Sequence, residues 1–502
     1  MLEGPLCTNA ALSESDLDKE LSQILGDVFA GRLQPEHGRV SPGPVLILPP
    51  DITRIHSRAG FLTGIVCREL ASQEKIREKE QSLADQNPAE TASTGTLKSW
   101  SLGAIMPALG THRFLGPEEI KRMFPACPAD KFIPHRWAAD TVELGRLEAD
   151  WVEAAFTGQA PLQAARARQP FGLRAAKKRR MHGKDRVFRM DWPVQVNRIL
   201  RDGLPSVDGT KPLSLIISVG QVVPHEVAGM ANHAKNIFIG TGGEEAIHKS
   251  HWLGALYGLE RLMGIRENPV RSLFDEALSR YGQLFPPILW VLTVVDSHNQ
   301  VRGFFCGFGR ECFEKAAALS EKVNIERVTG PNGGVGIRKA VVWLEESEYR
   351  STWLGNKAVY RTCRAMVNGG ELLILAPGLE SFGEDPGLDA LIRRHGYRGT
   401  PAIRRSVEAG SELAEKLGAA AHLIHGSAES RFTIRYCTPD GIPGLLGRSD
   451  IEGAGYEWGN LEATRARYVP RGPDKQEPGW NVTEEGEQYY FIRNPGMGLW
   501  IA

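Results

Sequence analysis

The sequence predicts an α/β fold on two observations. Short apolar runs alternate along the chain with longer stretches of mixed polarity, and polar residues capable of chemistry follow several of these runs. Unbroken apolar runs of this kind are typical of strands that helices cover on both faces of a sheet. At ~150 residues per domain, a chain of 502 residues suggests roughly two to four domains, and the large single cores of α/β enzymes favour two.

The elements are predicted in chain order from local spacing. Apolar residues three and four apart predict a first helix, with Ser15 as its N-terminal cap and Gly31 beyond its end. The apolar positions of that helix are Leu17, Leu21, Ile24, Leu25 and Val28. Strands are predicted at 45–48, 104–109, 213–219, 290–295 and 372–376. Pro107 favours a strand end or a sheet edge in the second of these, because proline lacks the N–H that a ladder needs.

The overall composition excludes several classes of protein. The chain has 60 Lys and Arg against 60 Asp and Glu and is 42% hydrophobic, so we expect neither a disordered chain nor a general nucleic-acid binder. No apolar run reaches the ~18 residues of a membrane helix, and the N-terminus lacks the pattern of a secretory leader. We therefore expect a cytoplasmic protein without membrane or nucleic-acid partners. Its 7 scattered cysteines favour reduced thiols.

The zero net charge conceals one basic segment. Residues 166–189 contain ten Lys or Arg and one acid, so the rest of the chain is negative by nine. A segment of this kind is interpreted as a solvated loop, as a lid that attracts anions, or as a contact between copies of the chain.

Polar side chains follow the first three predicted strands. Asp51 and Arg54 come after the first strand, His112 after the second and His225 after the third. The crevice at the carboxyl ends of parallel strands is where α/β sheets bind ligands. The sequence therefore predicts that these three loops bring the four residues to one site.

Four histidines are concentrated in a glycine-rich stretch around Lys235, namely His225, His233, His248 and His251. Imidazole suits both metal binding and proton transfer near neutral pH, so a metal site and an acid–base site both remain open here. The spacing matches neither HExxH nor a structural zinc pattern, so chemistry alone does not name a metal. The lysine is interpreted as an anion ligand, as a point of covalent attachment, or as a solvated side chain.

An ordered set of motifs resembles the nickel-dependent lactate racemase family, which belongs to a wider superfamily of 2-hydroxyacid racemases and epimerases. Each motif is weak by itself, but the order and the His-Lys-His spacing are specific. The set consists of Asp51-Ile-Thr-Arg54, Gly110-Thr-His-Arg113, Pro193-Val-Gln-Val-Asn197-Arg198, Pro224-His225-Glu-Val-Ala-Gly229, Lys235 and His251.

The resemblance implies a nickel pincer nucleotide as cofactor. This group is a pyridinium-3-thioamide-5-thiocarboxylic acid mononucleotide that holds nickel through one carbon and two sulfurs. By similarity, Lys235 holds it covalently and His251 supplies the protein ligand to nickel. Asp51 and Thr53 are expected to order the loop and the nucleotide end. Supply of the cofactor implies biosynthetic enzymes as partners.

The resemblance also implies the residues that act on the substrate. His112 and His225 match the acid–base pair on opposite sides of a 2-hydroxyacid, and two bases are required because the two enantiomers present their hydroxyl groups to different sides. Hydride leaves C2 for the cofactor and returns to the other face. Arg54 matches the residue that binds the carboxylate, and Trp353 is expected to contact the substrate.

Two departures from the family affect the expected substrate. The family has GGRK where this chain has Asn232-His-Ala-Lys235, so cofactor binding differs in detail. Glu314 and Ala317 stand where the lactate enzyme has a Gln and a Lys, which removes one carboxylate-binding cation. Arg310 and Lys315 are candidates to replace it. We therefore expect a larger acid or a sugar acid (an aldonate) rather than lactate.

The sequence thus predicts a two-domain isomerase. We expect a Rossmann-like catalytic domain over 1–285, with a basic insertion at about 146–191, and a second α/β domain over 286–502. The active site is expected in the cleft between the domains, and a homo-oligomer is left open. The alternatives are a zinc-dependent hydrolase that uses His225, His233 and His251, and a non-catalytic protein that binds small anions.

Overall fold

The computed structural model describes residues 6–36, 38–86, 99–158 and 187–502. Two compact units divide the chain. The first comprises Met1–Val223, Met230–Ile247 and Arg266–Val323, and the second comprises Pro224–Gly229, His248–Ile265 and Asn324–Ala502. Most of the basic segment 166–189 lies outside the described residues, so the three interpretations of that segment stay predictions.

The first unit contains a six-stranded sheet. Its strands are β1 (Leu6–Leu12), β2 (Pro44–Leu48), β3 (Ser101–Ile105), β4 (Leu215–Gln221), β5 (Ile288–Val295) and β6 (Val301–Gly307), and they lie in the order β1-β6-β5-β4-β2-β3. Neighbouring strands from β3 to β5 are parallel, whereas β6 and β1 are antiparallel to their neighbours. The predicted α/β class is confirmed. The strand predicted at 104–109 is instead β3 at Ser101–Ile105, so its predicted bounds were wrong. It lies at the edge of the sheet and ends before Pro107, which cannot donate to the ladder.

The predicted domain boundary at residue 285 falls inside this first unit. Strand β5 pairs in parallel with β4, so that Ile288 lies opposite Ile216. Strand β6 then returns antiparallel to β5, and the helix that follows packs on both strands. Residues 286–323 therefore complete the first sheet rather than begin the second unit.

The helices up to Val323 are α1 (Glu14–Phe29), α2 (Ala59–Gln86), α3 (Pro117–Met123), α4 (Ala149–Phe156), α5 (Glu244–Tyr257), α6 (Pro269–Tyr281) and α7 (Arg310–Val323), with a short helix at Arg198–Asp202. Of these, α1, α2 and α7 pack on strands of the sheet. The cap of α1 is Ser13, and the prediction of Ser15 was wrong. The Ser13 hydroxyl accepts from the Asp16 N–H, and the Asp16 carboxylate accepts from the Ser13 N–H at 2.9 Å. This reciprocal pair satisfies two helix-end donors at once.

A hairpin bounds the predicted insertion. Thr141–Leu147 pairs antiparallel with Trp192–Asn197, so the chain leaves and re-enters the first unit at adjacent points. Trp192 is fully buried, and its indole N–H donates to the Ala246 carbonyl at 2.9 Å. The ends of the insertion are thus fixed by the core of the first unit.

The second unit contains another six-stranded sheet. Its strands are β7 (Ile337–Trp343), β8 (Met366–Leu375), β9 (Thr433–Thr438), β10 (Glu457–Asn460), β11 (Gly479–Val482) and β12 (Gln488–Ile492), in the order β10-β9-β8-β7-β12-β11. Only β11 is antiparallel within this sheet. Its helices are Thr352–Gly355, Lys357–Tyr360, α8 (Pro386–His395), α9 (Thr400–Glu408), α10 (Leu417–His425), Arg448–Gly453 and α11 (Leu461–Tyr468). The strand predicted at 372–376 is confirmed as part of β8.

None of the helices in the described ranges combines the length and the apolar character needed to cross a membrane.

A close backbone contact joins α2 to α3. A Cβ atom placed on Gly60 would lie 1.6 Å from the Met123 carbonyl oxygen, and one placed on Gly64 would lie 3.0 Å from the Ala126 Cβ. Only residues without a side chain allow the first turns of α2 to approach the end of α3 this closely. The loops that precede these two helices carry Asp51 and His112.

We predict that Gly60→Ala destabilises the protein by about 3 kcal/mol, because the clashing atom is backbone and cannot move aside cheaply. Gly26→Ala is the matched control, since nothing lies within 4 Å of a Cβ at that helical position. The control should gain about 0.5–1 kcal/mol from the better helix propensity of alanine. Chemical denaturation of both variants tests this, and equal stabilities would contradict the packing argument.

Candidate active site

Asp51 organises the loop that follows β2. Its Oδ1 accepts hydrogen bonds from the Thr53 N–H at 3.0 Å and from the Thr53 hydroxyl at 2.6 Å. Its own carbonyl accepts from the Arg54 N–H at 3.1 Å. The carboxylate therefore caps the short helical turn Ile52–Ser57, as Asp does at helix starts. The structure brings Asp51 and Thr53 together in this loop, and their role at a nucleotide stays a prediction.

The second oxygen of Asp51 binds His112. Oδ2 makes a short hydrogen bond with His112 Nδ1 across the carboxyl ends of the neighbouring strands β2 and β3. Burial would raise the pKa of Asp51, but His112, Thr53 and Arg54 hold that pKa well below its usual range. An ionised carboxylate only accepts, so Nδ1 of the neutral ring carries the proton and Nε2 carries the lone pair. This arrangement makes His112 a base at Nε2.

Arg54 places a positive charge beside this pair. Its side chain is half-buried, and it makes no hydrogen bond or ion pair with any residue that the structure describes. A guanidinium in this state can donate two parallel hydrogen bonds to a carboxylate. The structure thus places a guanidinium beside the Asp51–His112 pair at the ends of β2 and β3.

Lys235 directly precedes a turn that packs on the loop carrying His112. The turn Asn236–Gly240 is π-helical, and its Gly240 carbonyl accepts from the Gly110 N–H at 2.9 Å. A Cβ on Gly240 would lie 2.7 Å from the Ala108 Cβ, so the two segments are in close contact. Lys235 itself is half-buried. The structure therefore ties the turn that begins after Lys235 to the segment that carries His112 within the first unit.

The residues before Lys235 keep a backbone suited to glycine. Asn232 and His233 have φ of 71° and 58°, in the left-handed region that favours glycine. Such a residue costs roughly 1–2 kcal/mol when it is not glycine. The Asn232 side chain accepts from the His233 N–H at 2.8 Å, and the buried Arg271 donates to the Asn232 carbonyl at 3.1 Å. These bonds hold the conformation that glycine would adopt freely.

His233 is a core residue. Its ring stacks on Phe313 at a centroid distance of 5.1 Å and lies 4.4 Å from the Trp290 ring. Burial, together with the charges of Arg271 and Arg310, lowers its pKa well below the ordinary value, so the ring is neutral. Within the described residues no group of three or more His, Cys, Asp or Glu is placed to hold a metal ion. The structure therefore gives His233 a packing role where the zinc hypothesis needed a ligand.

His225, in the second unit, is held by backbone donors. Its Nδ1 accepts from the N–H groups of Val227 at 3.2 Å and Ala228 at 3.4 Å. Because Nδ1 accepts, the proton of the neutral ring is on Nε2. His225 and His112 thus have opposite tautomers in the structure.

Trp353 and His251 also lie in the second unit. The Trp353 ring stacks on His422 at 4.3 Å and 26°, and His422 Nε2 is hydrogen-bonded to the Tyr397 hydroxyl at 2.9 Å. Burial and the neighbouring His425 lower the pKa of His422 to about 3, so a neutral ring supports the indole. His251 is half-buried on α5, and its Nδ1 lies 3.5 Å from the Ser250 hydroxyl.

Sequence analysis gave no role to three residues of the second unit. Glu226 follows His225 directly, and His422 and His425 are buried on α10. The available signals were the carboxylate beside a candidate catalytic histidine and the His-x-x-His spacing within an otherwise apolar helix.

The two candidates for a second carboxylate-binding cation are already paired. Arg310 donates to Asp275, to Glu267 at 2.9 Å and to Glu314 at 3.1 Å. Lys315 forms an ion pair with Glu311 at 2.9 Å. Ala317, where the resemblance led us to expect a lysine, is buried in the core.

Comparison by sequence finds no related family: no family model matches the chain, and no curated protein matches it. Comparison by structure finds full-length neighbours. A crystal structure of a protein from Thermotoga maritima has a TM-score of 0.67 and 20% identity, over 99% of both chains. The lactate racemase apoprotein from Thermoanaerobacterium thermosaccharolyticum has a TM-score of 0.58 and 13% identity, over 98% of this chain and 94% of that one. The chain therefore has an α/β fold similar to that of the lactate racemase apoprotein over nearly its whole length.

Proposed function

We propose that this protein is an isomerase that inverts C2 of a 2-hydroxyacid with the help of a nickel pincer nucleotide. The observation that carries the proposal is the Asp51–His112 pair, which lies beside the half-buried Arg54. A base and a carboxylate ligand side by side suit a substrate with adjacent hydroxyl and carboxylate groups. The ordered motifs and the fold shared with the lactate racemase apoprotein support the same activity.

The residues present fit this cofactor. Lys235 offers a primary amine for the covalent link, and the left-handed backbone at Asn232 and His233 gives the preceding loop a conformation that glycine favours. His251 offers an imidazole, a ligand type that suits nickel. A single protein ligand to nickel needs no cluster of metal-binding side chains. When bound, the cofactor supplies the acceptor and donor of the hydride at C2.

The residues of the chain supply binding and proton transfer. Arg54 binds the substrate carboxylate through its guanidinium. His112 takes the proton of the 2-hydroxyl at Nε2, and the ionised Asp51 stabilises the resulting imidazolium through Nδ1. His225 performs the same transfer for the opposite configuration. Arg310 and Lys315 are paired with carboxylates of the protein, so neither supplies the second carboxylate-binding cation of a lactate site. This favours a larger acid or an aldonate as substrate.

We predict that cofactor-loaded protein inverts a C2-deuterated 2-hydroxyacid in ordinary water and keeps the label. Retention follows because hydrogen leaves and returns as hydride, whereas removal of a C2 proton would exchange it with solvent. NMR of a panel from lactate to aldonates measures both inversion and label. A lactate racemase loaded in the same host controls for the cofactor supply.

His112→Ala should lower kcat by about 100-fold or more in that assay, because it removes the proton acceptor. His298→Ala, at an exposed turn, is the matched control and should be unaffected. Loss of the C2 label during inversion would contradict the hydride mechanism. If no substrate of the panel is inverted while the control racemase is active, the proposed activity is contradicted. The hypothesis of a small-anion-binding protein then remains.

We further predict that the loaded protein carries one covalent adduct, on Lys235. Intact mass spectrometry should show the added mass in the wild type and in Lys19→Ala, an exposed control on α1, and no added mass in Lys235→Ala. Metal analysis should find nickel in the same samples. An adduct that persists in Lys235→Ala would contradict the assignment, and stoichiometric zinc without nickel would favour the hydrolase.

A further inference from the structure

Glu226 is a partly buried carboxylate beside His225. Its Oε2 lies 3.7 Å from His225 Nδ1, and the exposed fractions of the two side chains are 24% and 9%. A charge held at this depth is costly unless a nearby group of opposite charge or a donor compensates it.

The tautomer of His225 that the structure favours cannot accept a proton at Nε2, because Nε2 already carries one. The N–H groups of Val227 and Ala228 point at Nδ1, so the neutral ring keeps its proton on Nε2. A ring that accepts a proton at Nε2 must carry its other proton on Nδ1. That proton would face two backbone donors and needs an acceptor elsewhere.

Glu226 is the acceptor at hand. Burial would raise its pKa, but the charge of protonated His225 and the charge of Arg361 lower the pKa well below its usual range, so the group is an anion. Arg361 also fixes the segment, because it donates to the Pro224 carbonyl at 3.0 Å and to the Gly498 carbonyl at 2.9 Å. His425, whose buried Nε2 has no hydrogen-bond partner, is neutral because burial lowers its pKa to about 4. Glu226 is therefore an anion that lies beside His225.

We infer that Glu226 is the counter-ion of His225 and a positioning residue for proton transfer. This inference rests on the proposed function. When His225 is protonated at both nitrogens, its ring turns away from the two backbone N–H groups and donates its Nδ1–H to the Glu226 carboxylate. The imidazolium gives its Nε2 proton to the substrate oxygen and leaves a neutral ring with Nδ1–H still donated to Glu226. That ring takes the hydroxyl proton at Nε2 in the reverse reaction, so one proton moves in each direction and none is lost.

The test follows the titration of His225 in protein labelled with 15N at histidine, without cofactor, and His225→Gln assigns the resonance. In Glu226→Gln the titration midpoint of His225 should fall by about one to three pH units relative to wild type, because an opposite charge within ~4–6 Å favours the protonated ring by that amount. Glu226→Asp should fall between the two. Glu452→Gln, an exposed glutamate of the same unit, is the control and should titrate like wild type.

An unchanged midpoint in Glu226→Gln would overturn the inference, and if that variant does not fold, an unchanged midpoint in Glu226→Asp would do so. In the loaded enzyme, Glu226→Gln should also move the acid limb of the pH profile of kcat. The two proposals fail separately. A shifted midpoint in a protein that inverts no 2-hydroxyacid would support the pair and overturn the proposed function, whereas an unshifted midpoint in an active enzyme would overturn the pair alone.

Discussion

The hydrogen bond between Asp51 and His112 is the interaction on which the candidate site depends. It exists because β2 and β3 are parallel neighbours, so the residues after both strands reach the same edge of the sheet. Gly60 extends this arrangement to the helices that follow, since its missing side chain lets α2 meet α3. One ionised carboxylate thus caps a turn through Thr53 and fixes the tautomer of a base.

The two histidines assigned to proton transfer are held in different ways. His112 is bound by an anion in the structure, whereas His225 is bound by two backbone N–H groups with an anion farther away. A charged acceptor stabilises an imidazolium, and amide donors stabilise the neutral ring. The backbone of the second unit therefore favours the neutral ring of His225, and the proposed role of Glu226 is to stabilise its protonated form.

Local sequence pattern predicted the features that depend on neighbouring residues. Apolar runs gave the central strands, and the polar residues after them gave Asp51 and His112, because parallel strands end at one edge. Local pattern does not predict which strands pair when they are far apart in sequence. Because β5 and β6 return to the first sheet, the predicted boundary at residue 285 falls inside the first unit. The remaining site residues depend on burial, which the sequence does not show. His233 packs in the core against Trp290 and Phe313, and nothing in the sequence indicates how deeply Glu226 is buried.

The proton on Nδ1 of His112 tests the central claim most directly. In 1H–15N spectra of histidine-labelled protein at neutral pH, the account predicts that His112 carries this proton and that its resonance lies far downfield, as in a hydrogen bond to a carboxylate. In Asp51→Asn the resonance should move upfield, because a neutral amide oxygen is a weaker acceptor. A neutral His112 ring with its proton on Nε2, or a resonance that is the same in both proteins, would contradict the account.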